Sequence, residues 1–313
     1  MATINLAEKY SKKIVDKFYV DSVILGKTSN EYDWDGVKSI NVYTINTYAP
    51  TDYTKPANDD AITGQHARYG YTYEVADTYQ TLTLSQDKAV SLSVDKGNNT
   101  QQMLIKNAGV VMARELREQF VPMFDKYALA RWSGKIGTSL TAPSWASLVQ
   151  TKNDGTSALT TQNVVEKIFD GVTAIRNQGT DVDDAYCYIG ETEFAALLRS
   201  DEFIKYGAGE FAGRNIEKGV MGKVRGVSIV PVPDTYLTAN TSLITTNNAN
   251  LTESIHFMIV KKSAVLTPTK IKDAKVHSDP VGISGALLEV RWLYDAFALN
   301  TKAKGIYVSL KHA

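Results

Sequence analysis

Three groups of residues have types that could support chemistry. Cys187, the only cysteine, lies in AYCYIG (185–190). A thiol becomes a nucleophile when a base or a positive field lowers its pKa. Alternating with Tyr186 and Tyr188 on a strand, Cys187 instead reads as a small apolar core residue. His66, His256, His277 and His312 are scattered, and no two have the close spacing of metal ligands. DVDDA (181–185) bunches three carboxylates but lacks the central glycine and closing glutamate of a calcium loop. It reads as a polar turn leading into AYCYIG.

GVMGKVRG (219–226) carries glycines and basic residues, yet it has no Gly-Lys-Ser/Thr ending and precedes a strand, where a phosphate loop would follow one. It also reads as a turn. No Gly-x-Ser-x-Gly elbow occurs. The expectation is therefore a chain with no catalytic residue, no metal site and no cofactor. The competing enzyme reading would centre on Cys187 and the turn beside it.

The elements around these residues are well marked. TYQTLTLSQDKAVSLSVDKGNNT (78–100) alternates apolar and polar residues on two arms, with Leu82 and Leu84 on one and Val90, Leu92 and Val94 on the other. This predicts a hairpin within 78–100 that turns near Gln86, Asp87 and Lys88 and needs a cover for its apolar face. The period then changes to that of a helix, from about Asn99 or Thr100 to residue 133. Leu104, Val111, Leu116, Phe120 and Phe124 lie along its packing face, and Pro122 is expected to kink it. Unbroken, such a helix spans on the order of 50 Å.

Ahead of the hairpin, Leu6, Tyr10, Ile14 and Phe18 mark a short amphipathic helix, VKSINVYTI (37–45) is strand-like, and 46–68 is a loop. After it come a connection (134–160), a helix closed by Gly179, the AYCYIG strand, a helix from Glu191, and the strand Val227–Val232. IHFMIVKKSAVL, GALLEVRWLYDAFAL and KGIYVSL follow as strand-like runs.

Composition limits the partners. The chain has 313 residues, 43% hydrophobic and 22% charged, with 34 basic and 34 acidic side chains. Zero formal charge argues against coating nucleic acid through a bulk positive field and removes one barrier to self-association. One cysteine excludes an intrachain disulfide. No apolar run reaches the length of a signal peptide or a membrane span.

The order of these elements resembles the major capsid protein of tailed bacteriophages, the Hong Kong 97-type capsid fold. RELREQFVPMFDKYAL within the long helix is the most family-like stretch, and the likeness covers about residues 37–310. It implies an α+β chain with an N-terminal arm (1–36), the first part of a peripheral domain (37–68), an E-loop hairpin (69–99) and a peripheral segment with the spine helix (100–149). An axial domain (150–255), returning peripheral strands (256–296) and a last axial strand (297–313) would complete it.

In that family the hairpin lies on a neighbouring subunit. Leu82, Leu84, Lys88, Val90, Leu92 and Val94 would then be inter-subunit contacts, and each buried aliphatic side chain would contribute about 1.5–3 kcal/mol. The implied function is self-assembly, in pentamers and hexamers, of an icosahedral virion shell enclosing double-stranded DNA without sequence-specific binding. A separate scaffolding protein and a portal are implied partners, with assembly in the host cytoplasm and no membrane. The same fold builds encapsulin nanocompartments, which remain the alternative; the insertion at 134–160 favours the phage shell.

Overall fold

A computed structural model describes residues 22–32, 34, 38–50, 52–53, 73–101, 108–134, 143–153, 158–200, 223–237 and 254–311. These fall into two compact units, a small one over 37–83 and a body formed by the rest of the chain. The expected amphipathic helix at 4–19 lies outside the described residues.

The small unit is an antiparallel pair, β1 (Ser39–Ile45) and β2 (Asp77–Thr83), in register from Ser39 opposite Thr83 to Ile45 opposite Asp77. In the body, β3 (Gln86–Asp95) does not pair with β2. It forms the edge of a three-stranded antiparallel sheet with β10 (Thr269–Ser278) and β11 (Gly285–Tyr294), in the order β10-β11-β3. This corrects the expected 69–99 hairpin. Alternation identifies strands and their faces, but it carries no information about a partner some 200 residues away.

Asp95 ends β3 and starts the helix α1 (Lys96–Gln101), its carboxylate accepting the Asn98 N–H at 2.8 Å. The helix therefore begins earlier than Asn99, on an ordinary acidic cap. Further along, α2 (Ala108–Glu115), a π-turn (Leu116–Phe120) and α3 (Val121–Ser133) run on without a break. Pro122 has no N–H to give Glu118, and the ladder adapts one residue earlier: Val121 N–H reaches back five residues to the Leu116 carbonyl. The expected kink is thus a widened turn ahead of the proline.

This long helix packs on β11 through rings. Phe120 lies 5.4 Å from Trp292, Phe124 lies 5.1 Å from Tyr294, and Tyr127 lies 5.7 Å from Tyr294, all tilted or edge-on.

The second layer of the body is a six-stranded sheet. Its strands are β4 (Gln150–Asn153), β5 (Ala185–Gly190), β6 (Lys223–Val224), β7 (Val227–Val232), β8 (Ile255–Lys261) and β13 (Ile306–Leu310), in the order β4-β13-β8-β5-β7-β6. β8 is buried along almost its whole length, which suits a central strand. It pairs with β5 on one side and β13 on the other.

Helix α4 (Val164–Asn177) lays Val164, Ile168, Val172 and Ile175 into this core at helical spacing and ends just before Gly179, whose φ of 72° closes it. Helix α5 (Glu191–Leu198) follows β5 directly. A two-stranded ladder, β9 (Val265–Leu266) with β12 (Phe297–Ala298), completes the body, and Ser29 bridges to Leu266.

Candidate assembly surfaces

One face of the β1–β2 pair is made by residues directly opposite one another. Near its root it is polar: the Ser39 and Thr83 hydroxyls are 2.7 Å apart, and Thr81 donates to Asn41 Oδ1 at 2.8 Å. Further out it becomes aromatic. Tyr43 and Tyr79 pair across the strands with ring centroids 5.9 Å apart, and both are about two-thirds exposed, at 65% and 66%. Ile45 extends the same face and Val75 lies close by in sequence, both exposed, and Tyr48 stacks on Tyr73 at 5.1 Å.

Asn46 N–H to the Ala76 carbonyl and Tyr48 OH to the Glu74 carbonyl carry the pairing past the strands. Grouped exposed apolar side chains are unfavourable in water, and tyrosine suits surfaces that become interfaces. Nothing in the sequence indicated which tyrosines would remain exposed.

The side chains expected to lie on a neighbour are placed differently. Leu82 and Leu84 are each only 1% exposed in the single chain, and Val94 is also buried. Val90, Leu92 and Val94 stand opposite Val290, Leu288 and Ala286, so they continue the apolar face of β11. Lys88 is not at a tip: it pairs with Trp292 in mid-ladder, half-buried, and burial lowers its pKa. Val90 and Leu92 are half-buried. Of the helix residues, Phe120 is buried, Val111, Leu116 and Phe124 are half-buried, and Leu104 lies outside the described residues.

Two buried carboxylates hold elements of the body together. Asp125, on α3, accepts the Val23 N–H at 2.8 Å and the Ser22 hydroxyl at 2.7 Å, fixing the segment before Ile24 to the long helix. Burial pushes its pKa up to about 6 against those two hydrogen bonds and the Lys27 charge. Glu193, on α5, meets His256 Nδ1 at 2.7 Å, the Leu159 N–H at 3.0 Å and Lys311 Nζ at 3.3 Å. Burial would raise its pKa, but His256, the Leu159 N–H and Lys311 outweigh that and hold it below the usual range.

The chemical candidates become structural. Cys187 is fully buried in β5, and burial pushes its thiol pKa up, the reverse of activation. His256 belongs to the Glu193 network, and His277 faces Glu289 at 3.3 Å on the exposed side of the three-stranded sheet. His66 and His312 lie outside the described residues. DVDDA forms a turn closed by Ala185 N–H on the Val182 carbonyl, with Asp181 paired to Lys261. Arg225 and Gly226, both at positive φ, make the tight turn between β6 and β7. No cluster of three metal-ligating side chains occurs among the described residues.

Neither a protein-family model nor a curated protein matches this sequence. Solved structures do. A chain from Mycobacterium phage Che8 superposes with a TM-score of 0.66 at 13% identity, covering 98% of both chains. The capsid structure of cyanophage P-SCSP1u gives 0.66 at 16% identity, over 97% of this chain and 92% of that one. The head structure of Helicobacter pylori bacteriophage KHP40 gives 0.66 at 12% identity, over 97% and 95%. The chain has a phage-capsid fold. At these identities the likeness is one of architecture. It extends over nearly the whole chain, so the capsid fold accounts for the small unit as well as the body.

Proposed function

We propose that this chain is a bacteriophage major capsid protein that self-assembles into an icosahedral shell around double-stranded DNA. The observation that carries this reading is a capsid fold matched over 97–98% of the chain. In Hong Kong 97-type terms, the 37–83 unit is the extended loop, the continuous helix from Ala108 to Ser133 is the spine, and the six-stranded sheet with α4 and α5 is the axial domain. A separate scaffolding protein and a portal are the partners this implies, and the virion is its location. The role is structural, in keeping with a cysteine and a buried histidine that are committed to the core.

Assembly contacts in this reading lie on the exposed tyrosine face, not on Leu82, Leu84 and the β3 valines. Burying Tyr43 and Tyr79 against a second copy would contribute roughly 1.5–3 kcal/mol each, multiplied over every subunit of a shell. The test is Tyr43→Ser with Tyr79→Ser. The unassembled variant should melt within a degree or two of the parent, yet yield few shells by sedimentation. Shell yields equal to the parent's would remove this face from the account.

A further inference from the structure

The described residues of 22–34 form a strap across the body. Ile24 to Lys27 make a tight turn, with Lys27 N–H on the Ile24 carbonyl at 3.0 Å and Gly26 at φ 77°. Ser29 N–H then reaches the Val265 carbonyl at 2.9 Å, and the Thr28 and Thr267 hydroxyls are 2.9 Å apart. Further on, Glu31 pairs with Lys302 at 3.3 Å and Trp34 stacks on Phe297 at 5.5 Å. This end of the strap is thus tied to β9, β12 and the turn that follows β12. The other end is tied to the long helix by Asp125.

The two donors from the strap reach one carboxyl oxygen each: the Ser22 hydroxyl meets Oδ1 and the Val23 N–H meets Oδ2. Lys27 on the strap is the nearby cation, but it donates to the Val23 carbonyl at 2.7 Å and makes no ion pair with Asp125. From the other side Asp125 is faced by Tyr188 on β5, whose pKa is pushed up by burial and by the Asp125 charge, so it stays neutral. Glu193 makes a useful contrast. Both carboxyls are buried, yet Glu193 meets His256 and Lys311 directly and its pKa is held down. Asp125 has no such partner, desolvation outweighs its hydrogen bonds, and its pKa rises to about 6. Lifting the strap returns the carboxyl to water and to its ordinary value.

We propose that the strap is a proton-sensitive latch, closed while Asp125 carries a proton and loosened from the long helix once the carboxyl ionises. The latch stands on contacts within the body and does not depend on the shell-forming reading. Its closed state binds the proton more tightly than its open state, so opening becomes easier as pH rises. The attachments at β9 and β12 include no buried titratable group, so loosening begins at the Ser22 end.

The experiment follows hydrogen exchange of the unassembled chain from pH 4 to 7 at the Val23 and Lys27 amides, corrected for the intrinsic pH dependence of exchange. These amides should be less protected than those of β8. Their opening should rise about 50-fold across the range and level off above about pH 6. Asp125→Asn should flatten the profile. Lys27→Met removes the positive charge near the carboxyl, so the levelling point should move to higher pH, a shift that a merely structural lysine would not produce. A flat profile in the parent would overturn the latch, as would the same rise in Asp125→Asn. Protection equal to that of β8 would also overturn it, because the strap would then open only with the whole body. If Asp125→Asn does not fold, Lys27→Met decides, and an unmoved levelling point counts against the latch.

Discussion

Asp125, buried on the long helix, accepts the backbone N–H of Val23 at 2.8 Å. Its carboxyl has a pKa of about 6 in the folded chain against an ordinary 3.8. The folded state therefore holds the proton more tightly than the unfolded state between those values. Stability from this group is full below about pH 4 and is lost as pH rises through 6. A shift of about two units corresponds to on the order of 3 kcal/mol. The difference in melting temperature between the parent and Asp125→Asn should move against the parent from pH 4 to 7. Parallel curves would contradict it.

Leu84 is an internal side chain of the subunit. Leu84→Ala should cost about 2–5 kcal/mol in urea unfolding of unassembled protein, and Leu84→Asp should leave little folded subunit. The family resemblance implied the reverse, a folded subunit that fails only in assembly. Unfolding midpoints at the parent's value would restore that expectation.

Gly285 opens β11 at φ 139°, and a Cβ there would stand 2.1 Å from the Val94 carbonyl oxygen. The neighbouring strand would have to give way, so Gly285→Ala should cost several kcal/mol. Gly282 is also at positive φ, 86°, but a Cβ there meets nothing within 4 Å. Gly282→Ala should cost about 1 kcal/mol, from backbone strain alone. Thermal unfolding of the two variants side by side checks the contrast; equal losses would mean that the approach of β3 is softer than its geometry.

Much of the architecture could be read from the sequence because its cues are local. Val164, Ile168, Val172 and Ile175 show the period of α4, Gly179 marks its end, and the runs AYCYIG and KGIYVSL are strands with the burial their composition demands. Partner choice could not be read in this way. β2 and β3 are both period-two strands separated by two residues, yet one pairs with 39–45 and the other with 285–294. Local pattern cannot say whether an apolar face is covered by its own chain, and for Leu82 and Leu84 that decided the outcome. The exposed tyrosines were hidden for the same reason: Tyr43 and Tyr79 become one surface only once β1 and β2 are in register.

The most direct test of the central claim is negative-stain electron microscopy of the purified chain, expressed alone and with a scaffolding partner. The account predicts closed, uniform icosahedral particles. Small discrete oligomers that never close under any condition would contradict it.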